Sequence, residues 1–421
     1  MHRQYRQVTA KRDITGNAFP RGVIDYDFSI GSNMVWHPSR SYFRVGLRLD
    51  GAGGNAPTLA EKVAFSNLAP ACLFDNCYFQ MGGQNVSQIL QYLPQAAALR
   101  YRVGQSAAWS ATTGKDGFGF DPNLERRLAK SASDSFNQVD PQPYHNYSPD
   151  DPNQNIVYLL FQAPLGITEN EQALEAGEYR YSFNPASDYK NAAVQSDIGN
   201  KTAGVEYDIS VESMELYICT EKVETSPTRN YEIFLRELNL QSKKIINGEQ
   251  NFDFTVPSTT YAVAIFVQSQ KAGNNIGCPP TLFGTLDAND TLDAGERSLS
   301  SLQLTYGNIT KPPTRWSSDY DLGGRTSKLT QRWLDTHMET GRAMSVGGCE
   351  SLQDWMNGGI FNYYTFERGT GDQCTQLQLQ INNTDLNANS NHNVFIAAFY
   401  ERKVEIQVQN GFVANVMQLT V

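Results

Sequence analysis

Charge is scarce in this 421-residue chain. Asp, Glu, Lys and Arg make up 19% of it, below the quarter usual for a soluble domain. What charge there is sums to −10, which argues against a general polyanion binder, because affinity for phosphate backbones comes from clustered Lys and Arg. Cysteine is sparse as well. The six are Cys72, Cys77, Cys219, Cys278, Cys349 and Cys374. None falls in a Cys-x-x-Cys pair, and Cys72 with Cys77 has no matching His or Cys pair elsewhere. This argues against zinc and predicts buried free thiols in a reducing compartment. The five histidines, His2, His37, His145, His337 and His392, are scattered beside loop residues. There is no Gly-x-Ser-x-Gly elbow, P-loop or HExxH, and no acid pair in NLERRLAK or WLDTHMET that reads as more than helix-face charge. No stretch approaches the ~18 apolar residues of a membrane span. The opening MHRQYRQVTAKRD lacks the apolar run of a signal peptide. Together these absences predict a chain with no catalytic, cofactor or metal residues, and not an enzyme.

Aromatics and amides fill the space that charge leaves. There are 21 Tyr and 21 Phe, the palette of strands and polar loops. Ile24, Tyr26, Phe28 and Ile30 alternate along Val23–Ile30. Phe43, Val45, Leu47 and Leu49 do the same in 41–49, with Tyr42, Arg44, Gly46 and Arg48 opposite. A period of two is the mark of a half-buried antiparallel strand. Further strands are predicted over 72–81, 156–162 and 178–183. Another covers 207–218, where the apolar phase slips at Ser213 and predicts a β-bulge. The second half repeats the theme at 231–240, 252–256, 261–267, 300–306, 361–366, 376–381, 394–400 and 404–408. Helices are predicted over LERRLAK after Asp121-Pro122, over 327–339, and briefly in SLQDWMNGG.

Each half thus carries about eight strands with a long polar loop (104–155 and 271–299) in its middle. Eight strands in two packed sheets make a jelly roll. The chain is expected to be all-β: residues 1–20 a polar, mildly basic arm, 21–225 a first eight-stranded jelly roll, and 226–421 a second, with a few short helices in loops.

Three segments resemble one family. DNCYFQMGGQNVSQI (75–89) is similar to a strand, Gly-Gly-Gln turn and following helical stretch, here starting at Val86, Ile89 and Leu90. DISVESMELYICTEKVETSPTRNYEIFLREL (208–238) looks like the bridge between two barrels. NGGIFNYYTFER (357–368) is similar to a late Gly, aromatic, Tyr-x-Phe strand. Their order resembles that in double jelly-roll major capsid proteins, the lineage of adenovirus hexon, virophages, polinton-like viruses and tailless phages. RGTGDQCTQ stands where that family has a late Pro-Gly-Ser run. The resemblance implies a structural protein of the virion, assembled inside the host cell. Its partners would be two further copies in a pseudo-hexameric trimer, neighbouring capsomers, and minor or penton capsid proteins. The arm would touch an internal membrane or the genome, and no small-molecule substrate is implied.

Two other readings stay open. One is a penton or single jelly-roll capsid protein with a different second half. The other is a carbohydrate-binding β-sandwich that stacks sugars on Trp36, Trp109, Trp316 and Trp355. DANDTLDAGE (287–296) hints at a calcium loop, but Leu292 sits where such a loop needs Gly and Ser298 stands at its twelfth position. Asn-x-Ser/Thr triplets at Asn85, Asn146, Asn200, Asn289, Asn308 and Asn382 read as the composition of an Asn-rich chain.

Overall fold

A computed structural model describes residues 3–50, 63–121, 156–195, 208–223, 230–270, 280–286, 292–293, 300–317, 325–344, 348, 350–352, 355, 360–366, 374–383, 386, 391–409 and 412–419. The first ten strands are β1 (Arg3–Thr9), β2 (Ile24–Ile30), β3 (Met34–Asp50), β4 (Val63–Phe65), β5 (Phe74–Met81), β6 (Gln84–Ile89), β7 (Ile156–Phe161), β8 (Gly177–Pro185), β9 (Ala193–Gln195) and β10 (Asp208–Lys222). Then come β11 (Tyr231–Ile245), β12 (Gly248–Thr255), β13 (Thr260–Gln270), β14 (Thr285–Leu286), β15 (Leu292–Asp293) and β16 (Ser301–Tyr306). The last five are β17 (Ile309–Ser317), β18 (Phe361–Thr365), β19 (Gln376–Asn383), β20 (Asn391–Gln409) and β21 (Phe412–Leu419).

Hydrogen bonding sorts these strands into two sandwiches of one design. The first pairs a sheet ordered β1-β10-β3-β7 with a sheet ordered β2-β8-β5-β6. The second pairs β11-β20-β13-β18 with β12-β19-β16-β17. Setting aside the small pairs β4-β9 and β14-β15, and β21, which adds a fifth strand beside β20, the eight remaining strands of each sandwich take the same order in the same two sheets. The chain is therefore an internal repeat in topology, although the two halves share no clean sequence identity. The second half is itself a complete two-sheet sandwich, which removes the reading of one jelly roll joined to something else.

Among the described residues, the buried apolar side chains form two hydrophobic cores. The smaller lies wholly inside the second sandwich, among Val263, Ile265, Val267, Leu302, Leu304, Leu377, Leu379, Ile381, Val394 and Ile396. The larger fills the first sandwich around Tyr26, Phe43, Phe79, Tyr181 and Phe183, and continues into the second through Phe266, Phe395 and Phe399. β13 and the 394–399 stretch of β20 are consequently buried on both faces.

The strand pattern stands where alternation placed it, with informative exceptions. The slip at Ser213 is a bulge, where β10 shifts register against β3 between Val211 and Ser213. The arm is partly built into the fold: Arg3–Thr9 forms β1, an almost fully exposed edge strand laddered to β10. Gln84–Ile89 is a strand, not the start of a helix. Gly82 and Gly83 both hold positive φ (55° and 79°), the geometry of a two-residue hairpin turn. That turn sends the chain straight back along β5. The helix begins later, as Leu93–Gly104, with Pro94 in its first turn.

The predicted strands at 394–400 and 404–408 are one strand, β20, because Glu401, Arg402 and Lys403 stay in the ladder opposite Arg236, Leu235 and Phe234. Sequence reading passed over β17, which carries Pro312 and Pro313. It is an edge strand, where missing donors cost nothing. It also passed over β21. The helix predicted over 327–339 extends through Arg325–Met344, 20 residues, so not every helix is short. The LERRLAK helix and most of DANDTLDAGE, SLQDWMNGG and the 222–230 linker lie outside the described residues.

Candidate assembly surfaces

Helix Leu93–Gly104 lies between the two sandwiches. Every residue from Leu93 to Val103 is buried, including two arginines and a glutamine, so each polar side chain must find a partner there. At its start the Tyr92 hydroxyl meets Ser242 Oγ on β11 at 2.8 Å, and the Tyr92 ring sits edge-on to Phe395 of β20 at 5.1 Å. Gln95 Nε2 donates to Gln268 Oε1 on β13 at 3.0 Å, and Gln268 Nε2 donates in turn to the Leu282 carbonyl. The helix thus spans β11, β20 and β13, lying across the outer face of the second sandwich's sheet.

The two arginines fasten it. Arg100 pairs with Glu169 and donates through Nη2 to the Arg236 carbonyl on β11 at 2.8 Å. Arg102, fully buried, pairs with Glu350, donates through Nη2 to the Thr281 carbonyl at 3.0 Å, and stacks over Phe283 at 4.7 Å. Close to Arg100, Glu237 on β11 is a buried carboxylate that accepts from the Gly166 N–H at 3.4 Å. Burial raises its pKa, against the opposing pull of the Ser87 hydroxyl, Arg100, Arg402 and Gly166. Burial likewise pushes the phenols of Tyr261 and Tyr400 up to about 12, keeping them neutral. Gly166 is needed for closeness: a Cβ there would lie 2.8 Å from the Arg236 carbonyl oxygen and 3.0 Å from Glu237 Cδ.

A second fastening crosses the first sandwich. β21 pairs with the far end of β20. The Val413 N–H donates to the Ala176 carbonyl at 2.9 Å, just before β8. The Glu175 N–H donates to the Tyr231 hydroxyl at 3.3 Å. Beside the helix, a groove of about 550 Å³ opens between Arg100, Gln162, Glu169, Phe234 and Arg236.

Among the described residues, nothing comparable covers the outer face of the equivalent sheet in the first sandwich. Tyr42 stacks on Tyr217 at 5.6 Å and meets Tyr5 at 5.8 Å. Arg44 lies 4.0 Å over the Tyr158 ring and reaches Glu215 at 4.0 Å. Of these, Tyr42 and Arg44 are residues that the alternation of 41–49 put opposite the core. Tyr and Arg are the types enriched in the buried centres of protein interfaces.

The other residues singled out in the sequence do not gather into a reactive site. His37 Nε2 lies 3.1 Å from Glu221 Oε2, which also accepts from Arg3 Nε at 3.0 Å. His337 stacks on Trp333, and His392 is buried against Ser269. The sugar-stacking expectation fails for Trp36 and Trp355: both are buried, and their indole N–H groups donate to Ser41 Oγ and the Phe361 carbonyl. Trp109 stacks on Tyr101 at 5.2 Å. Asn85 and Asn308 are exposed, and Asn382 is half-buried. Cys72, Cys77 and Cys219 are buried free thiols, and Cys374 is partly exposed. Among the described residues, no group of three His, Cys, Asp or Glu is placed to hold a metal, and no helix is long and apolar enough to cross a membrane. Nothing in the local sequence marks Arg100, Arg102 and Glu237 as buried. Charged residues read as surface, and only Pro94 with the Ala-rich run after it marked a helix.

No protein-family model and no curated protein matches the chain. Its likeness is to solved structures. A chain of the Sputnik virophage, determined by cryo-EM, is 14% identical, with a TM-score of 0.64 over 99% of this chain and 88% of that one. The mavirus major capsid protein is 9% identical, with a TM-score of 0.59 over 99% and 90%. The Faustovirus major capsid protein is also 9% identical, with a TM-score of 0.54 over 97% and 90%. Two jelly rolls of the same strand order, fastened across a buried helix, give this chain the fold of those capsid proteins from one end to the other.

Proposed function

We propose that the chain is a structural major capsid protein, not an enzyme, and that three copies form a pseudo-hexameric capsomer of an icosahedral shell. In this reading residues 21–225 and 226–421 are the two rolls, and residues 1–20 are an arm whose strand β1 edges the first. The observation that carries it is the end-to-end likeness to virophage and mavirus capsid folds, with two topologically identical rolls in one chain. Mechanics supports it. Because the helix between the rolls is wholly buried and cross-linked by ion pairs and hydrogen bonds, the rolls move as one block. A shell tile needs such a block: a stiff body whose loops and faces are free for contact.

Neighbouring capsomers, minor or penton capsid proteins, and an internal membrane or genome under the arm complete the proposed partners, with the protein residing in the virion. Negative-stain imaging of the purified protein tests the proposal. Pseudo-hexagonal particles with a central three-fold are expected; a monomer that persists at high concentration would overturn it.

A further inference from the structure

The repeat predicts how copies meet. In each roll one helix occupies the same place in the strand order. Helix Leu93–Gly104 follows β6 and precedes β7, and helix Arg325–Met344 follows β17 and precedes β18. Since β6 and β7 correspond to β17 and β18, the two helices are equivalents. The first helix has its partner within the chain, the outer face of the β11-β20-β13-β18 sheet. The second turns one face to its own roll, where Arg332 Nε donates to Asn362 Oδ1 at 2.7 Å and Glu339 accepts from the Thr365 N–H at 3.0 Å on β18. Among the described residues, no sheet of another roll covers its other face, where Leu334 and Met338, one turn apart, are 45% and 52% exposed. The sheet equivalent to the one covered, β1-β10-β3-β7, likewise has an outer face left open by the described residues, where Tyr5 and Tyr158 are 55% and 48% exposed.

From this unmatched pair we infer that helix Arg325–Met344 of one copy packs, through Leu334 and Met338, on the Tyr5–Tyr42–Arg44–Tyr158 face of the next copy. The inference rests on the capsomer reading and names its contact. The contact repeats between copies the step already made within the chain: helix of one roll on outer sheet of the following roll. It is head-to-tail, so repetition closes a ring if the rotation allows. With two rolls per chain, a six-roll ring takes three copies. The chemistry of the two faces fits the difference between the steps. The covered face is apolar, with Phe266, Phe395 and Phe399 buried, as suits a permanent junction. The open face is Tyr and Arg, which tolerate water before assembly and still anchor afterwards.

The test uses the whole chain in two variants, each altered only on exposed or half-exposed side chains. One is Leu334→Asp with Met338→Asp, the other Tyr42→Asp with Tyr158→Asp. Thermal unfolding checks that each folds, and analytical ultracentrifugation gives the association state. Each variant should weaken self-association by at least roughly thirtyfold, the effect of losing an interface anchor. Mixing them should restore one intact contact, from the helix of the second variant to the face of the first, and yield a dimer that grows no further. A trimeric wild type whose variants both remain trimeric would overturn the inference and leave the capsomer reading standing. So would variants that fail to pair on mixing, or that lose the fold itself, because the substituted groups would then be part of the single chain's own stability. A wild type that stays monomeric would end both.

Discussion

The two rolls have one topology and two kinds of core. The second roll's own core is self-contained: side chains from both of its sheets meet only each other. The first roll's core runs on through the buried helix to the second roll's outer sheet face. Equivalent sheets therefore differ in what covers them. In the first roll the equivalent strand β3 alternates half-exposed Tyr42, Arg44 and Arg48 with buried Phe43, Val45, Leu47 and Leu49, as a sheet with one wet face must. In the second roll β13 reads as an unbroken apolar run, because neither face meets water. The same strand order tolerates both patterns, so topology is set by pairing and turns, whereas the detailed hydrophobic pattern records neighbours.

The sharpest way to break this comparison is at the junction. Arg102→Met leaves Glu350 as a buried charge without its counter-ion and should cost about 3–5 kcal/mol; chemical denaturation measures it. Arg44→Met, on the uncovered equivalent sheet, should shift the isolated chain by no more than ~0.5 kcal/mol. Comparable losses at the two sites would erase the distinction between covered and open sheets. Leu379→Ala in the self-contained core should cost about 2–5 kcal/mol. Calorimetry should show this and Arg102→Met lowering one shared transition. Two separate transitions would mean that the rolls unfold independently and the junction couples them weakly.

Gly166→Ala places a methyl group against the Arg236 carbonyl and should cost about 1–3 kcal/mol. Hydrogen exchange should quicken in β11 and helix Leu93–Gly104 while β16 and β19 stay protected. The smallest effect is with pH, and its sign separates the junction from the first roll's open sheet edge. Glu237 has a raised pKa from burial. Its contribution is therefore full below the ordinary value of 4.5 and is lost as pH rises through the raised one. Asp27 has a lowered pKa, held down by the Arg180 hydrogen bond and by Lys11. Its contribution is present above the ordinary 3.8 and is lost as pH falls. Glu237→Gln should flatten the loss of junction protection that comes as pH rises and leave the acid loss at β2 unchanged, as followed by hydrogen exchange across pH.

Much of this was legible in the chain. Alternation at Ile24–Ile30 and at Phe43–Leu49 places strands and their inward faces, and the slip at Ser213 places a bulge, because both follow from the two-residue period of a strand. Tyr42 and Arg44 fall on the open face by the same rule. What stayed hidden depends on contacts far apart in sequence. Arg100 and Arg102 lie in a helix that nothing local marks as buried. Trp36 and Trp355 look like surface aromatics until their indole partners are known. Glu401–Lys403 looks like a turn until the opposite strand keeps it extended. Val86 and Ile89 suit a helix as well as a strand, and only the glycine pair before them decides.

A sheet clothed on both sides has no side chain to spare. Along β13 and the middle of β20 every position is already spoken for, so foreign peptides or enlarged residues have nowhere to go there. Grafts for display or labelling belong instead in the two-residue hairpins at Gly82-Gly83 and Gly307-Asn308, whose exposed tips lie apart from β13 and β20.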